Sequence, residues 1–420
     1  MAGMQQPVNS LAELRCRAEA ELTQDILPFW RQHAFDPATG RLSGVVTNDL
    51  RRFDDVPRHA VLCARLLWTF AAAARRDPRP EWLEMGRRAL ALLMGPFWDS
   101  RHGGVFWSID AAGRVQSDRK QIYAQAFAIY GLAEWSAATG DTTALERAKT
   151  LFALVEKHAA EPQFGGYIEA RGGAWEELAD QRLSDKDLNA PKSMNTLLHL
   201  LEAYTTLLRH WPDAGLRGRL RELLIVMLDR VVTTTPYTCC RLFFDLDWRS
   251  LSSKISYGHD IEASWLLWDA AEALGDPALL ARTRQVSLDM AAGVLAHGCD
   301  TDGSIFYDGE PGRVVKADKH WWPQAEAVIG FLNAYALSDD AAYQTAAIRA
   351  WQFIEDHVID RQHGEWFAEL DRSGRPLPDY PAHADSCKIG PWKCPYHNAR
   401  ACLEVMRRVP AAECGGKPPD

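Results

Sequence analysis

Six short segments rich in glycine and aromatic residues recur along this chain at a nearly fixed spacing, and that spacing limits the folds open to it. They read GRLSGVV, RHGGVFWSID, PQFGGYIEA, CCRLFFDLDW, DGSIFYDGE and QHGEWFAEL, centred near 43, 105, 166, 243, 305 and 366. Successive gaps are about 62, 61, 77, 62 and 61 residues, a period that marks a repeat architecture. Two copies align residue by residue. His102-Gly103 and His363-Gly364 are followed at equal spacing by Phe106 or Phe367, Asp110 or Asp371, and Gly113-Arg114 or Gly374-Arg375. Period-2 alternation ending in D-x-x-G-R predicts a β-hairpin with a tight glycine turn.

The stretches between are helical in pattern: 10–34, 60–76, 81–97, 121–138, 142–159, 193–211, 216–233, 259–274, 277–297, 320–336, 340–358 and 393–408. Ser10, Asp141 and Ser193 stand where N-caps belong. Helices apolar on more than one side, such as HAVLCARLLWTFAAAA, imply an inner ring covered by an outer one. A linear array would need polar capping helices at its ends, and neither terminal helix is unusually polar. The expected fold class is therefore all-α, an (α/α)6 barrel of six helix pairs with short β-hairpins at one end. It forms a single catalytic domain over 1–410, followed by a flexible C-terminal tail over 411–420.

Composition narrows the partners. The chain has 420 residues and a net charge of 47 − 56 = −9, which disfavours nucleic acid and anionic membranes, since both attract clustered Lys and Arg. No apolar run spans a bilayer, and the acidic residues near the N-terminus argue against a signal peptide. Nine scattered cysteines without a CxxC pair point to a reduced, cytoplasmic chain, expected as a monomer or a homodimer. The 16 Trp exceed what core packing needs, and the surplus suits a site where flat apolar faces meet sugar C–H bonds.

Nucleotide and serine-hydrolase motifs are missing: there is no GxxxxGK[ST], strand-borne GxGxxG or GxSxG. GHDIE places His259 and Glu262 one helical turn apart, but no second pair completes a di-metal set, so no metal is expected. Four polar clusters interrupt apolar helices. They contain Asn195 and His199; His259, Glu262 and Trp265; His320, Trp321, Trp322 and Glu326; and Trp392, His397 and Asn398. Arg65 and the Tyr123-Ala-Gln125 run precede them. Each alone reads as a hydrogen-bonded structural residue. Together, near helix ends in separate repeats, ring closure brings them to one mouth. Burying so many polar groups is costly unless they pair with each other or with a ligand.

The segments ARLLWTFAAA (64–73), YAQAFAIYGLAEW (123–135), SMNTLLHLLEAY (193–204), GHDIEASWLL (258–267), HWWPQAEAVIGFLNAY (320–335) and PYHNARACLE (395–404) carry a resemblance that covers nearly the whole chain in order. The sequence resembles the N-acylglucosamine 2-epimerase superfamily, and within it the cellobiose 2-epimerase family. The resemblance implies an (α/α)6 barrel and a cofactor-free isomerase that inverts C2 of the reducing-end sugar of β-1,4-linked disaccharides such as cellobiose, lactose and mannobiose. By position it makes His259 and His397 the acid/base pair. Arg65, Asn195, His199 and Glu262 fall around the reacting sugar, with Asp187 and Tyr123 as further pocket residues and Trp322 and Trp392 stacking on substrate. Cys63 and Cys394 depart from the family pattern, as does the longer stretch 380–390 before Trp392.

Such chemistry suits these residues. Ring opening places C2–H beside a carbonyl, and its removal needs a base of near-neutral pKa and donors for the enediolate oxygen. Histidine meets the first need, and Arg65 and His199 the second. Glu262, one turn away, is expected to orient His259. Inversion takes either two bases on opposite faces of C2 or one base and rotation about C2–C3. Competing expectations are a mannose 2-epimerase or mannose–fructose isomerase, a glycoside hydrolase using Glu262 and Glu326, and a non-catalytic binding protein, which predicts loss of a catalytic histidine.

Overall fold

The computed structural model describes residues 7–380, 382 and 384–411, so the expected tail, apart from Ala411, lies outside the described residues. Twelve helices are present among the described residues. They are α1 (residues 11–33), α2 (Ala60–Arg76), α3 (Pro80–Met94), α4 (Ile122–Thr139), α5 (Thr142–His158), α6 (Met194–His210), α7 (residues 214–231), α8 (Tyr257–Leu274), α9 (Pro277–His297), α10 (Trp321–Ser338), α11 (residues 341–358) and α12 (Tyr396–Arg408). The three expected caps form: Ser10 accepts from Glu13 N, Asp141 from Thr143 N and Ala144 N, and Ser193 from Thr196 N. Outer helices α1, α7 and α11 each contain a π-helical turn that periodicity did not announce.

Even-numbered helices form the inner ring. Each packs on the next, and α12 packs back on α2, while α1 covers α12 from outside. Inner helices are buried nearly all round because both faces meet protein, which explains their unbroken Ala/Leu/aromatic runs. Close approach within the ring requires small residues. A Cβ added to Gly131 on α4 would lie 2.7 Å from the Ala64 carbonyl oxygen of α2. The Gly131→Ala variant should lose about 1–3 kcal/mol in urea unfolding, because backbone cannot yield as a side chain can.

The aromatic segments staple this ring. Each strand leading into an inner helix pairs antiparallel with the strand following the next outer helix: Arg58 with Ile109, Lys120 with Arg171, Lys192 with Phe244, Ile255 with Gly309 and Lys319 with Leu370. Val46 and Ile389 exchange two backbone hydrogen bonds of 3.1 Å and make the sixth pairing, which joins the two ends of the chain. Asp110 N bonds Arg114 O at 2.8 Å, Asp371 N bonds Arg375 O at 2.8 Å, and Gly113 and Gly374 take φ of +83° and +79°. Buried lysines recur beside these turns: Lys120 on Asp99 (2.7 Å), Lys192 on Glu161 (3.2 Å), Lys319 on Asp300 (3.0 Å) and Lys388 on Asp360 (2.9 Å). Among the described residues no helix is long and apolar enough to cross a membrane. Cys63, Cys239, Cys240, Cys299, Cys387, Cys394 and Cys402 are free thiols, but Cys16 is disulfide-bonded, which corrects the all-thiol reading at that residue.

Candidate active site

The inner helices all begin at the same end of the barrel, and their first turns surround a cavity of about 530 Å³. Arg65 comes from α2, Tyr123 from α4, Asn195 and His199 from α6, His259 and Glu262 from α8, Trp322 from α10 and His397 from α12. Trp392 enters just before α12, and Asp187 from the loop before α6. All ten residues that the family resemblance placed at the site line this one cavity.

The two histidines flank a common aromatic ring. Trp322 lies 4.7 Å from His259 and 5.5 Å from His397, centroid to centroid. Their partners differ in kind. His259 Nδ1 is 2.8 Å from the Ser256 hydroxyl, whereas His397 Nδ1 is 2.7 Å from a carboxylate oxygen of Glu326. Burial lowers both imidazoles. His259 falls to about 3, with His199 and Lys254 adding to the drop. His397 falls well below its usual range, helped by Arg400, Arg65 and the neighbouring histidines. Burial therefore favours the uncharged form of both rings at neutral pH.

Beneath them lies a buried ion network. Arg400 Nη2 reaches Glu262 at 2.5 Å and Glu326 at 2.6 Å, while Nη1 bonds Glu202. Glu202 also accepts from Tyr396 (2.6 Å) and contacts His199 Nδ1 at 3.0 Å. Burial raises Glu262 to about 8, with Glu326 next to it adding to the rise, and burial raises Glu326 as well. Glu326 has donors on both oxygens, from Arg400 and from Trp265 Nε1 at 3.0 Å, whereas Glu262 Oε2 has no partner. Glu262 is therefore the member of the pair whose charge is less fully answered, and Glu326 is the carboxyl group facing His397. Glu262, Glu326 and His397 also stand at metal-ligand spacing, but a cation already occupies their centre as the Arg400 guanidinium.

On the opposite wall Arg65 bonds the Tyr123 hydroxyl at 2.7 Å and lies over the Phe127 ring at 4.2 Å. Trp392 meets Tyr123 edge-on at 5.8 Å and Trp107 at 6.1 Å. Asp187 is held by Ser184 N and Oγ, and the Asn195 carbonyl oxygen is buried without a partner. The mouth is crossed by a 2.8 Å ion pair from Lys186 to Asp385.

Residues 46–387 match the family model described as N-acylglucosamine 2-epimerase (GlcNAc 2-epimerase). The chain belongs to the N-acylglucosamine 2-epimerase family. Within this family it is 42% identical to the cellobiose 2-epimerase of Bacteroides fragilis, over 94% of this chain and 98% of that one. It is 34% identical to the Ruminococcus albus enzyme of the same name, over 92% and 97%. The solved cellobiose 2-epimerase of Bacillus thermoamylovorans superposes with a TM-score of 0.87 at 36% identity, covering 94% of this chain and 99% of that one. The protein is thus a carbohydrate epimerase, an isomerase built on the (α/α)6 barrel of its 2-epimerase relatives.

Two expectations change against this geometry. Glu262 does not orient His259; it is bound to Arg400 and lies 3.9 Å from His397, while Ser256 holds His259. Helical spacing put Glu262 and His259 on one face, but the cation across the ring decided the contact. Nor are Glu262 and Glu326 a hydrolase pair flanking a bond, since both oxygens share one guanidinium nitrogen and lie within 4.8 Å. Gln125, Trp265 and Asn398 prove structural: they bond Val105, Glu326 and Glu365 respectively. Sequence reasoning missed Arg400, Glu202, Ser256 and Glu326 as the partners of the histidines. Arg and Glu embedded in the apolar runs ARACLE and LLEAY were the available signal. Of the departures, Cys63 donates to Ala89 O at 3.2 Å, away from the cavity, and Cys394 Sγ lies 3.9 Å from Arg65 Nη1. The 380–390 stretch supplies Asp385 to the mouth; its Pro381 and His383 lie outside the described residues.

Proposed function

We propose that this epimerase interconverts reducing-end glucose and mannose in β-1,4-linked disaccharides, cellobiose among them, by removing and returning the C2 proton through an enediolate. The observation that carries the reading is the pair of buried imidazoles on one cavity, one of them backed by a carboxylate. Curated relatives of like length with that activity support the disaccharide.

His397 takes C2–H. Its Nδ1–H donates to Glu326, which leaves Nε2 as the basic nitrogen and stabilises the imidazolium that forms. His259, held by a neutral hydroxyl, serves ring opening by exchanging a proton with the ring or O1 oxygen. Arg65 and His199 hold the oxygen that becomes negative, and the convergent positive ends of the inner helices add to that field. Asn195, Asp187 and Tyr123 bind sugar hydroxyls, and Trp322 and Trp392 offer apolar faces to the two rings. With both imidazoles entering in their neutral form, the proton that His397 takes is the only surplus proton on the pair. Inversion with that proton calls for rotation about C2–C3 before it returns. No step in this scheme needs a metal or an organic cofactor.

Incubation with cellobiose in deuterated water, followed by NMR, tests the reading. The expected product is 4-O-β-glucosyl-mannose bearing deuterium at C2. Free glucose would indicate hydrolysis instead, and a ketose product alone would indicate an aldose–ketose isomerase.

A further inference from the structure

One buried carboxylate on the cavity wall has no part in the chemistry above. Glu169 is 2% exposed and lines the cavity on the side of Asp187 and Asn195. Its two oxygens accept from Ser193 Oγ at 2.7 Å and Thr196 Oγ1 at 2.6 Å, the N-cap and third residue of α6. Ser193 Oγ meanwhile accepts from Thr196 N at 3.2 Å. The Glu169 backbone bonds Pro191 O before α6 and accepts from Ile122 N, the residue before Tyr123. One residue thus ties together the starts of two helices that carry Tyr123, Asn195 and His199.

We propose that the Glu169 carboxylate is a positioning residue for sugar binding, fixing the first turn of α6 so that Asn195 and His199 meet the substrate. As a carboxylate it can only accept, so both hydroxyls must donate to it, and the Ser193 oxygen keeps a lone pair for the Thr196 amide. A protonated Glu169 must donate to one of those hydroxyls, and the arrangement breaks. The groups that face it are Ser193 and Thr196 on α6, the Gln121 amide at 3.4 Å, Asp187 on the loop and Arg119. Burial pushes Glu169 up to about 7; Thr196 and Ser193 oppose the rise and Asp187 adds to it. The group therefore gains its proton as the pH falls through neutrality, and binding weakens in that direction.

The inference rests on the disaccharide reading, and the test separates the two. KM and kcat for cellobiose are measured between pH 6 and pH 8 for wild type, Glu169→Gln and Thr196→Val, with thermal melting as a control for folding. Wild-type KM should rise about tenfold from pH 8 to pH 6, as the ionised fraction falls around a midpoint near 7, and kcat should fall with it as His199 leaves the developing oxyanion. Glu169→Gln should show the high KM at both pH values. Thr196→Val, which removes one donor at constant volume, should move the step to higher pH. A Glu169→Gln variant with wild-type KM at pH 8, or one that keeps the wild-type step, overturns the inference. Should that variant fail to fold, an unmoved step in Thr196→Val overturns it equally. A wild type inert on cellobiose counts against the disaccharide instead, and the same series on mannose then decides the role of Glu169.

Discussion

The His397→Ala variant is expected to lose C2–H exchange with deuterated water by about 10⁴-fold while keeping its fold by circular dichroism, the upper range for removing a general base. Two features set this size. His397 is the imidazole backed by Glu326, whereas His199, backed by Glu202, is already assigned to the oxygen that becomes negative, so the scheme leaves no spare base for C2. His259 differs. Its Ser256 partner cannot stabilise a positive ring, so His259→Ala should slow turnover by about 10²-fold yet still exchange C2–H at the rate of spontaneous ring opening. Equal loss of exchange in both variants would reverse the assignment. Exchange retained by His397→Ala would remove that residue from the chemistry.

The second large effect is on stability. Arg400→Met should destabilise the fold by about 3–5 kcal/mol in urea unfolding, because a buried cation that bridges Glu202, Glu262 and Glu326 disappears and leaves carboxylates uncompensated. The sign with pH follows. Burial already holds Glu262 near 8 and raises Glu326, so protonation relieves the unpaired charge as pH falls. The deficit should be smaller at pH 5 than at pH 8. Arg400→Lys should recover only part of it, since an ammonium cannot span three carboxylates as a planar fork does. A variant as stable as wild type would mean that the network is neutral to folding.

The ring was legible because its inner helices are apolar all round and its hairpins repeat, so period and periodicity agreed. His259 and His397 were legible because polar residues in apolar runs are costly and must be answered. What answers them was not legible. Arg400 pairs with residues 198, 138 and 74 positions away, and nothing in ARACLE names those partners. Glu262 shows the limit most plainly: its spacing from His259 was read correctly as a shared face, yet contact went to a cation arriving from another repeat.

The pairing of Val46 with Ile389, and the packing of α1 over α12, mean that α12, late in the sequence, is covered by α1, made long before it. His397 and Arg400 both lie on that last helix. During translation five sixths of the ring can assemble while the base, the cation beneath it and the docking face of α1 all remain unfilled. A chain cut before residue 396 would lack His397 and Arg400 and leave the seam of the ring open, a target for a chaperone or a protease.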